Sequence, residues 1–371
     1  MKKNIYFLTG KRGGFDAMKP LLMKLLKDKS INLKIIVTDQ HLMKKFGNTS
    51  ALVKKYFRKS VIKIKTNQQN DKNFNRNNAM GNLQIKLSKL FKKKIDLFLI
   101  YGDRMESLIA AQSCLNFSIP VAHFQGGDIS GNIDDKIRYS ISQLSNYHFV
   151  SNARCAQRLC KIGISKKNIF NVGDNHVDSL MQIKIRKKNY YLRKYNIKHN
   201  KDYVLFLLHP DGLNSEKNKK NSDVVLELLS KYKSLEKVCI YPCTDIGYQG
   251  IITSINKFKN NKSFHIFPNL IYEDFIGLLY HSRFLIGNSS SGIIECPYLG
   301  VSVLNLGNRQ IGREQDNNIF NSNFKKKEII RQIEKILSTK NKKNKNKLLY
   351  GDGKSFIKTY KIMKTKILKK Y

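Results

Sequence analysis

The chain lacks any continuous run of the ~18 to 20 apolar residues that a membrane span needs, so no membrane partner is expected. Its cysteines, Cys114, Cys155, Cys160, Cys239, Cys243 and Cys296, form no CxxC pair and no Cys/His grouping at zinc spacing. Isolated cysteines of this kind fit small buried apolar residues of a reducing compartment, and neither a metal nor another cofactor is expected. The opening MKKNIYFLTGKRGG has a positive start and a short apolar run but no small-residue cleavage site. It therefore reads as a first β-strand rather than a signal peptide, and the expected location is cytoplasmic.

Acidic residues are the other shortage. Asp plus Glu number 27 against 69 Lys plus Arg, a formal net charge of +42. Clustered positive charge would point to a polyanion, because bound Lys and Arg release counterions from a phosphate backbone. Here the charge is spread along the whole chain, few aromatics interleave with the lysine runs, and Lys, Asn and Ile are abundant together. Compositional drift accounts for that pattern better than a nucleic-acid partner does, and none is expected. Against this background, HFQGGDISGNIDDKIRYSISQL (residues 123–144) stands out, because Asp128, Asp134 and Asp135 gather around a glycine turn. Such acids serve either as caps and turns or as proton carriers.

At 371 residues two domains are expected, and 41% hydrophobic with 10% aromatic residues is enough for packed cores. Short β-rich runs (KNIYFLTG, LKIIVTD, DLFLIYGD, PVAHFQGG, YHFVSN, IFNVGD) alternate with amphipathic stretches such as DAMKPLLMKLLK and RMESLIAAQSCL. That alternation predicts a parallel sheet with helices on both faces. A second series (YVLFLLHP, KVCIYPC, FHIFP, FLIGNSS, VSVLNLG) begins after a Lys/Asn-rich break. The expected organisation is a Rossmann-like domain over residues 1–183, a linker at 184–201, a second Rossmann-like domain over 202–350 and a terminal helix at 351–371. Residues 340–347 read as a solvated loop. Two doubly wound α/β domains facing a cleft would direct strand C-termini and helix N-termini into it.

Candidate chemistry lies at the ends of these strands. In LIGNSSSGIIECPYLGVSVLNLGNRQIGRE, Ser289 to Ser291 follow a strand ending in Gly287 and Asn288 and precede an apolar helical run. Free N–H groups and hydroxyls there suit a phosphate, although a single serine would be an ordinary N-cap. Glu295 is the right type to hold a ribose diol, and Arg309 to neutralise a diphosphate. Arg12 follows the first strand in a glycine turn that is neither a P-loop nor a dinucleotide fingerprint. Asp103 and Arg104 end another strand, Asp134, Asp135 and Arg138 open a helix where Asp134 serves equally as an N-cap, and His209 ends a strand of the second series. His41, in TDQHLMKKFGNT, is a further candidate.

At these residues the chain resembles the hydrolysing UDP-N-acetylglucosamine 2-epimerases, the bacterial sialic- and legionaminic-acid enzymes and the epimerase half of the animal bifunctional enzyme. The matching stretches are TDQHLMKKFGNT, YGDRMES, HFQGGDISGNIDDKIRYSISQLSNYH, LHP, IGNSSSGIIE and LNLGNRQIGRE, in order from residue 9 to about 315. The resemblance implies the two-domain GT-B-like fold shared with many nucleotide-sugar glycosyltransferases. It also implies metal-independent release of UDP with inversion at C2, through a glycal, to give N-acetylmannosamine or a related amino sugar for nonulosonic acid synthesis. By motif position, Arg12, Arg104, His209, Ser289, Ser290, Glu295 and Arg309 would hold UDP. Asp103, Asp134, Asp135 and Arg138 would form the reacting centre, with His41 near the sugar. Homodimers are common in the family, and the same is expected here by analogy.

Several positions depart from that pattern. Many relatives carry Glu where Gln125 stands, and an amide cannot transfer a proton. Asp128 replaces a second Glu, Tyr139 stands in place of a usual His, Gly14 and Asp16 differ in the first loop, and Cys243 replaces a usual Asn. Gln125, Asp128, Asp16 and Cys243 remain site candidates by position. The departures suggest a divergent branch, with N-acetylglucosamine and its 2,4-diacetamido-6-deoxy analogue as the two candidate sugars. Two rival readings stay open: a glycosyltransferase of the same fold, and an inactive basic relative that binds nucleotides or nucleic acid.

Overall fold

A computed structural model of the protein describes residues 2–68, 72–131, 133–338 and 349–370; the loop expected at 340–347 lies outside these. The chain divides into two compact units. The first comprises residues 1–128, 133–182 and 350–371, and the second comprises 129–132 and 183–349.

The first unit is built on seven strands: β1 (Lys3–Thr9), β2 (Ile31–Val37), β3 (Val61–Lys63), β4 (Leu97–Tyr101), β5 (Val121–Phe124), β6 (Tyr147–Val150) and β7 (Ile169–Asn171). They lie in the order β3-β2-β1-β4-β5-β6-β7, and every neighbouring pair is parallel. Alternation along β1 shows why both faces need cover. Ile5 and Phe7 belong to one apolar cluster and Tyr6 and Leu8 to another, and the helices between strands close both. The order reverses between β1 and β4, and at such a switch point the connections leave in opposite directions and open a crevice at the strand C-termini.

The second unit repeats the plan with β8 (Asp202–Leu207), β9 (Leu235–Ile240), β10 (Phe264–Phe267), β11 (Leu285–Gly287), β12 (Val303–Leu306) and β13 (Ile319–Ser322), in the parallel order β10-β9-β8-β11-β12-β13. Its switch point falls between β8 and β11. The helix Lys326–Ser338 places Ile329, Ile333 and Ile336 at helical spacing in this core. Within 184–201, the stretch expected to be a linker, Lys188–Lys194 is helical, with Tyr191 and Leu192 buried. A Cβ on Gly277 would stand 2.0 Å from the Tyr191 ring, so the two elements touch through a glycine.

The chain's last segment returns to the first unit. Asp178 accepts hydrogen bonds from the Ser355 N–H (2.8 Å), the Ser355 hydroxyl and the Phe356 N–H (2.7 Å), which supplies acceptors to the first turn of the helix Ser355–Ile362. Met363, Ile367 and Leu368 then enter the cluster that contains Ile5 and Phe7. Among the described residues no helix is long and apolar enough to cross a membrane.

His123 on β5 and His148 on β6 face each other in register and are buried. Burial disfavours their charged forms and lowers His123 to about 3 and His148 to about 4. Both are neutral in the fold but take a proton near 6.5 when unfolded. Stability is therefore full above pH 6.5 and declines as the pH falls toward 4, by about 1.4 kcal/mol per pH unit for each histidine. A denaturant midpoint measured from pH 8 to 4.5 should be level at first and fall below 6.5; a level profile throughout contradicts this. Separately, Asp178→Ala leaves the Ser355 N–H and hydroxyl, the Phe356 N–H and the Asn175 amide without their acceptor and should cost about 2–3 kcal/mol. Limited proteolysis should then cut first in the segment after Tyr350.

Candidate active site

Each unit gathers charged and polar side chains at the C-terminal ends of its strands. In the first unit the turn after β5 is the centre. Gln125 adopts φ 63, unusual for a residue with a side chain, and Gly127 follows at φ 78. A Cβ on Gly127 would lie 2.3 Å from the Cys155 carbonyl, so only glycine fits. Below the turn, the buried His123 touches the Gly102 carbonyl through Nε2 (2.8 Å) and the Ser142 hydroxyl through Nδ1 (3.0 Å). It thereby ties the end of β4, where Asp103 follows, to the helix Ile133–Gln143.

Arg138, on that helix, is fully buried. Its guanidinium donates to Asp103, to Asp135 Oδ1 (2.7 Å) and to the Asp128 carbonyl (2.9 Å). Burial alone would weaken the charged guanidinium, but Asp103, Asp128 and Asp135 outweigh it and hold the proton more tightly than usual. Asp128 itself is buried and accepts from the Cys155 thiol (2.9 Å). Asp134, also buried, opens the same helix. The acids in HFQGGDISGNIDDKIR thus surround one buried cation.

A second network lies at the ends of β4, β5, β6 and β7. The Gln125 amide donates to Asp174 Oδ2 (2.6 Å), which also accepts from the Ser151 hydroxyl (3.1 Å). Asp174 Oδ1 meets the His176 N–H (2.8 Å) and Nδ1 (3.0 Å), and Nδ1 is also 2.8 Å from the Tyr101 hydroxyl. Burial alone would raise the Asp174 carboxyl, but hydrogen bonds from His176 and Gln125, with the nearby imidazole, lower it to about 2. Sequence reasoning missed this group. A strand end followed by GDNH was its only signal.

Arg12 pairs with Asp16 (3.2 Å) at the start of the helix Arg12–Lys27. Pro20 has no N–H for the Asp16 carbonyl one turn earlier, and the Ser179 hydroxyl donates to that carbonyl instead (2.6 Å). Arg104 is buried between Asp39 (2.7 Å) and Glu106 (2.6 Å), two partners the sequence pattern had not singled out. Burial, and then the Asp39 charge, push the Glu106 carboxyl up against the pull of Arg104. His41 has no exposed surface. Its ring nitrogens meet the Thr9 and Thr49 hydroxyls at 3.0 and 2.7 Å, and burial lowers it to about 3, so it is a neutral brace for the β1 and β2 turns.

In the second unit, His209 and Asn288 follow adjacent strands and bond reciprocally: the His209 N–H donates to the Asn288 side-chain oxygen (2.7 Å), and the Asn288 amide donates to the His209 carbonyl (3.0 Å). The Cys243 N–H donates to His209 Nδ1 (3.1 Å), which assigns the ring proton to Nε2. The Cys243 thiol donates to Asp245 (2.7 Å), whose carboxylate lies 3.8 Å from Arg309. Gly287 is required because a Cβ would sit 1.9 Å from the Leu207 carbonyl. The Ser289 hydroxyl caps the Ser291 N–H (3.3 Å), and the helix Ser290–Ile294 is only five residues long. Its hydroxyls and N–H groups therefore matter more than any helix dipole. Glu295, buried, accepts from the Tyr272 hydroxyl. Among the described residues no group of three or more His, Cys, Asp and Glu is placed to hold a metal.

Known proteins fit this architecture and these motifs. The chain is 31% identical over 368 residues to a UDP-N,N'-diacetylbacillosamine 2-epimerase (hydrolyzing) of Legionella pneumophila, covering 98% of this chain and 96% of the relative. It is 32% identical over 351 residues to a GDP/UDP-N,N'-diacetylbacillosamine 2-epimerase (hydrolyzing) of Campylobacter jejuni, covering 92% and 90%. Among solved structures, a Methanocaldococcus jannaschii UDP-GlcNAc 2-epimerase in complex with UDP-GlcNAc and UDP superimposes with a TM-score of 0.81 at 22% identity, covering 98% of this chain and 99% of that one. That likeness establishes the GT-B-like fold of two α/β domains. Residues 23–364 match the family model for UDP-N-acetylglucosamine 2-epimerase, and the chain belongs to that family.

Proposed function

We propose that the protein is a hydrolysing 2-epimerase of a UDP-amino sugar, releasing UDP and a manno-configured sugar used for nonulosonic acid synthesis. The observation that carries this reading is the buried Arg138 guanidinium holding Asp103 and Asp135 at the C-terminal ends of β4 and β5. The two relatives at 31% and 32% identity, both named as hydrolyzing, support the reaction type.

The chemistry explains the arrangement. The C2 hydrogen of an N-acetylhexosamine is weakly acidic, so its removal must be coupled to departure of UDP from C1. A carboxylate base near C2 and cations on the diphosphate lower that barrier together. The electron pair of the C2–H bond becomes the C1=C2 bond of a glycal while the C1–O pair leaves with UDP. Water then adds at C1 as a proton returns to the opposite face of C2. Asp103, with one of Asp134 and Asp135, is assigned to the C2 proton, and Arg138, which donates to Asp103 and Asp135, orients them. UDP is assigned to Arg12, Arg104, Ser289, Ser290, Glu295 and Arg309, with Glu295 on the ribose. His209, protonated on Nε2 and braced through Nδ1, is assigned to the leaving phosphate. Within this reading Asp128 supports Arg138, and Asp16 and Cys243 position Arg12 and His209.

Incubation with UDP-N-acetylglucosamine, and separately with its 2,4-diacetamido-6-deoxy analogue, in deuterated water should yield free UDP and a manno sugar carrying deuterium at C2. Free UDP without epimerisation, or sugar transferred only to an added acceptor, would assign a transferase. Asp103→Asn should lower kcat by roughly 10²–10⁴-fold while UDP affinity stays within three-fold; weak UDP binding with residual turnover contradicts the assignment. Glu295→Gln should weaken UDP binding about ten-fold, or ~1.4 kcal/mol, with little change in kcat at saturating substrate. Calorimetric titration with UDP checks it.

A further inference from the structure

Epimerisation through a glycal needs proton transfer on both faces of C2. Asp103 and Asp135 both bond to one guanidinium, through Nη2 and Nη1, and in the proposed reading they act on the C2 proton from one face. The opposite face needs another group, and Gln125, at the centre of the turn, has an amide that cannot transfer a proton.

The network at the ends of β4 to β7 supplies one. Asp174 is 1% exposed and cannot meet a substrate directly, whereas the His176 side chain retains 13% exposure. Asp174 accepts from the Gln125 amide and the Ser151 hydroxyl through one oxygen and faces His176 Nδ1 through the other. The Tyr101 hydroxyl meets the same nitrogen, and its ring packs edge-on to the imidazole at 5.7 Å. A buried carboxylate fixing Nδ1–H sets the tautomer and orients the ring. Asp103 follows Tyr101 by two residues, so both networks grow from the same strand end.

We propose that His176 returns the proton to C2 in the hydration step, with Asp174 as its positioning residue and Gln125 holding Asp174 in place. The assignment rests on the 2-epimerase reading. In the step, the imidazolium N–H bond breaks and its proton bonds to C2 using the C1=C2 pair. Water bonds to C1 and loses a proton to solvent, and solvent reprotonates the imidazole. The proton first taken by Asp103 leaves on UDP, so the balance is one water consumed per UDP and sugar released.

The test compares the unmodified protein with His176→Gln and Asp174→Asn, following UDP, glycal and epimerised sugar by proton NMR and UDP affinity by calorimetry. The expected result is a fall of about 100-fold or more in epimerised sugar for His176→Gln, with KM and UDP affinity within three-fold. Glycal should appear beside UDP, and added imidazole should restore part of the activity. Asp174→Asn should lower kcat at unchanged KM without imidazole rescue, because an amide facing Nδ1 favours the wrong tautomer. Activity within three-fold of the unmodified protein in His176→Gln, or loss in both variants accompanied by equal loss of UDP affinity, overturns the proposal. No turnover by the unmodified protein overturns the epimerase reading and this assignment with it; turnover that survives the substitutions overturns only His176.

Discussion

A wholly buried guanidinium must find its counter-charges inside the fold, and Arg138 imposes that condition on three separate segments. It takes a carboxylate from the end of β4, another from its own helix and a carbonyl from the turn after β5. Removing one member of such a cluster typically costs about 3–5 kcal/mol, because the others are left buried and uncompensated. The positions of Asp103, Asp128 and Asp135 are therefore coupled. The strained φ of Gln125 and the close approach of Gly127 to Cys155 are tolerated because the cluster, together with His123 beneath it, fixes both flanks of the turn.

The second unit reaches a similar rigidity with neutral groups. Asn288 and His209 close a two-bond ring across adjacent strand ends, and the Cys243 N–H fixes the histidine tautomer. The two devices differ in what they can do chemically. The charged cluster sets two carboxylates against one guanidinium, while the neutral ring presents an Nε2–H donor with Arg309 bonded close by to the Asn288 carbonyl. Both kinds of group are demanded by the proposed reaction, in which a proton and a phosphate leave neighbouring carbons.

Much of this was legible in the sequence because it follows from local chemistry. Buried parallel strands read as continuous apolar runs, and those in both series occur where the runs place them. The edge strands β3 and β13 escaped notice: each is short and only half-buried, so its apolar content is diluted by Lys, Asn and Ser. The 184–201 stretch reads as polar, yet Tyr191 and Leu192 suffice to seat a short helix against Gly277. At the site, Asp103, Arg138 and His209 could be found from strand ends and motifs. Asp39 and Asp174 could not, since their partners Arg104 and Gln125 lie far along the chain and only the sheet order brings them together; Glu106 stands two residues from Arg104, but its burial against that guanidinium is set by the fold. His41, a candidate by motif, is buried and neutral, with its ring nitrogens on the Thr9 and Thr49 hydroxyls.

The same geometry bears on the acid shortage. Asp16, Asp39, Asp96, Glu106, Asp128, Asp134, Asp174, Asp178, Glu236, Asp274 and Glu295 are all buried, a large share of a chain with 27 acids. Carboxylates are ordinarily among the residues least often fully buried. An exposed acid contributes little to folding and can be exchanged for Lys or Asn at a cost within about 0.5 kcal/mol. A buried one holds an arginine, a helix end or a histidine and cannot be replaced without leaving its partner unsatisfied. Loss of acids from the surface and retention inside would leave a strongly basic exterior around acid-rich sites without any selection for a polyanion. That asymmetry explains how +42 and clusters of buried acids at the strand ends coexist in one chain.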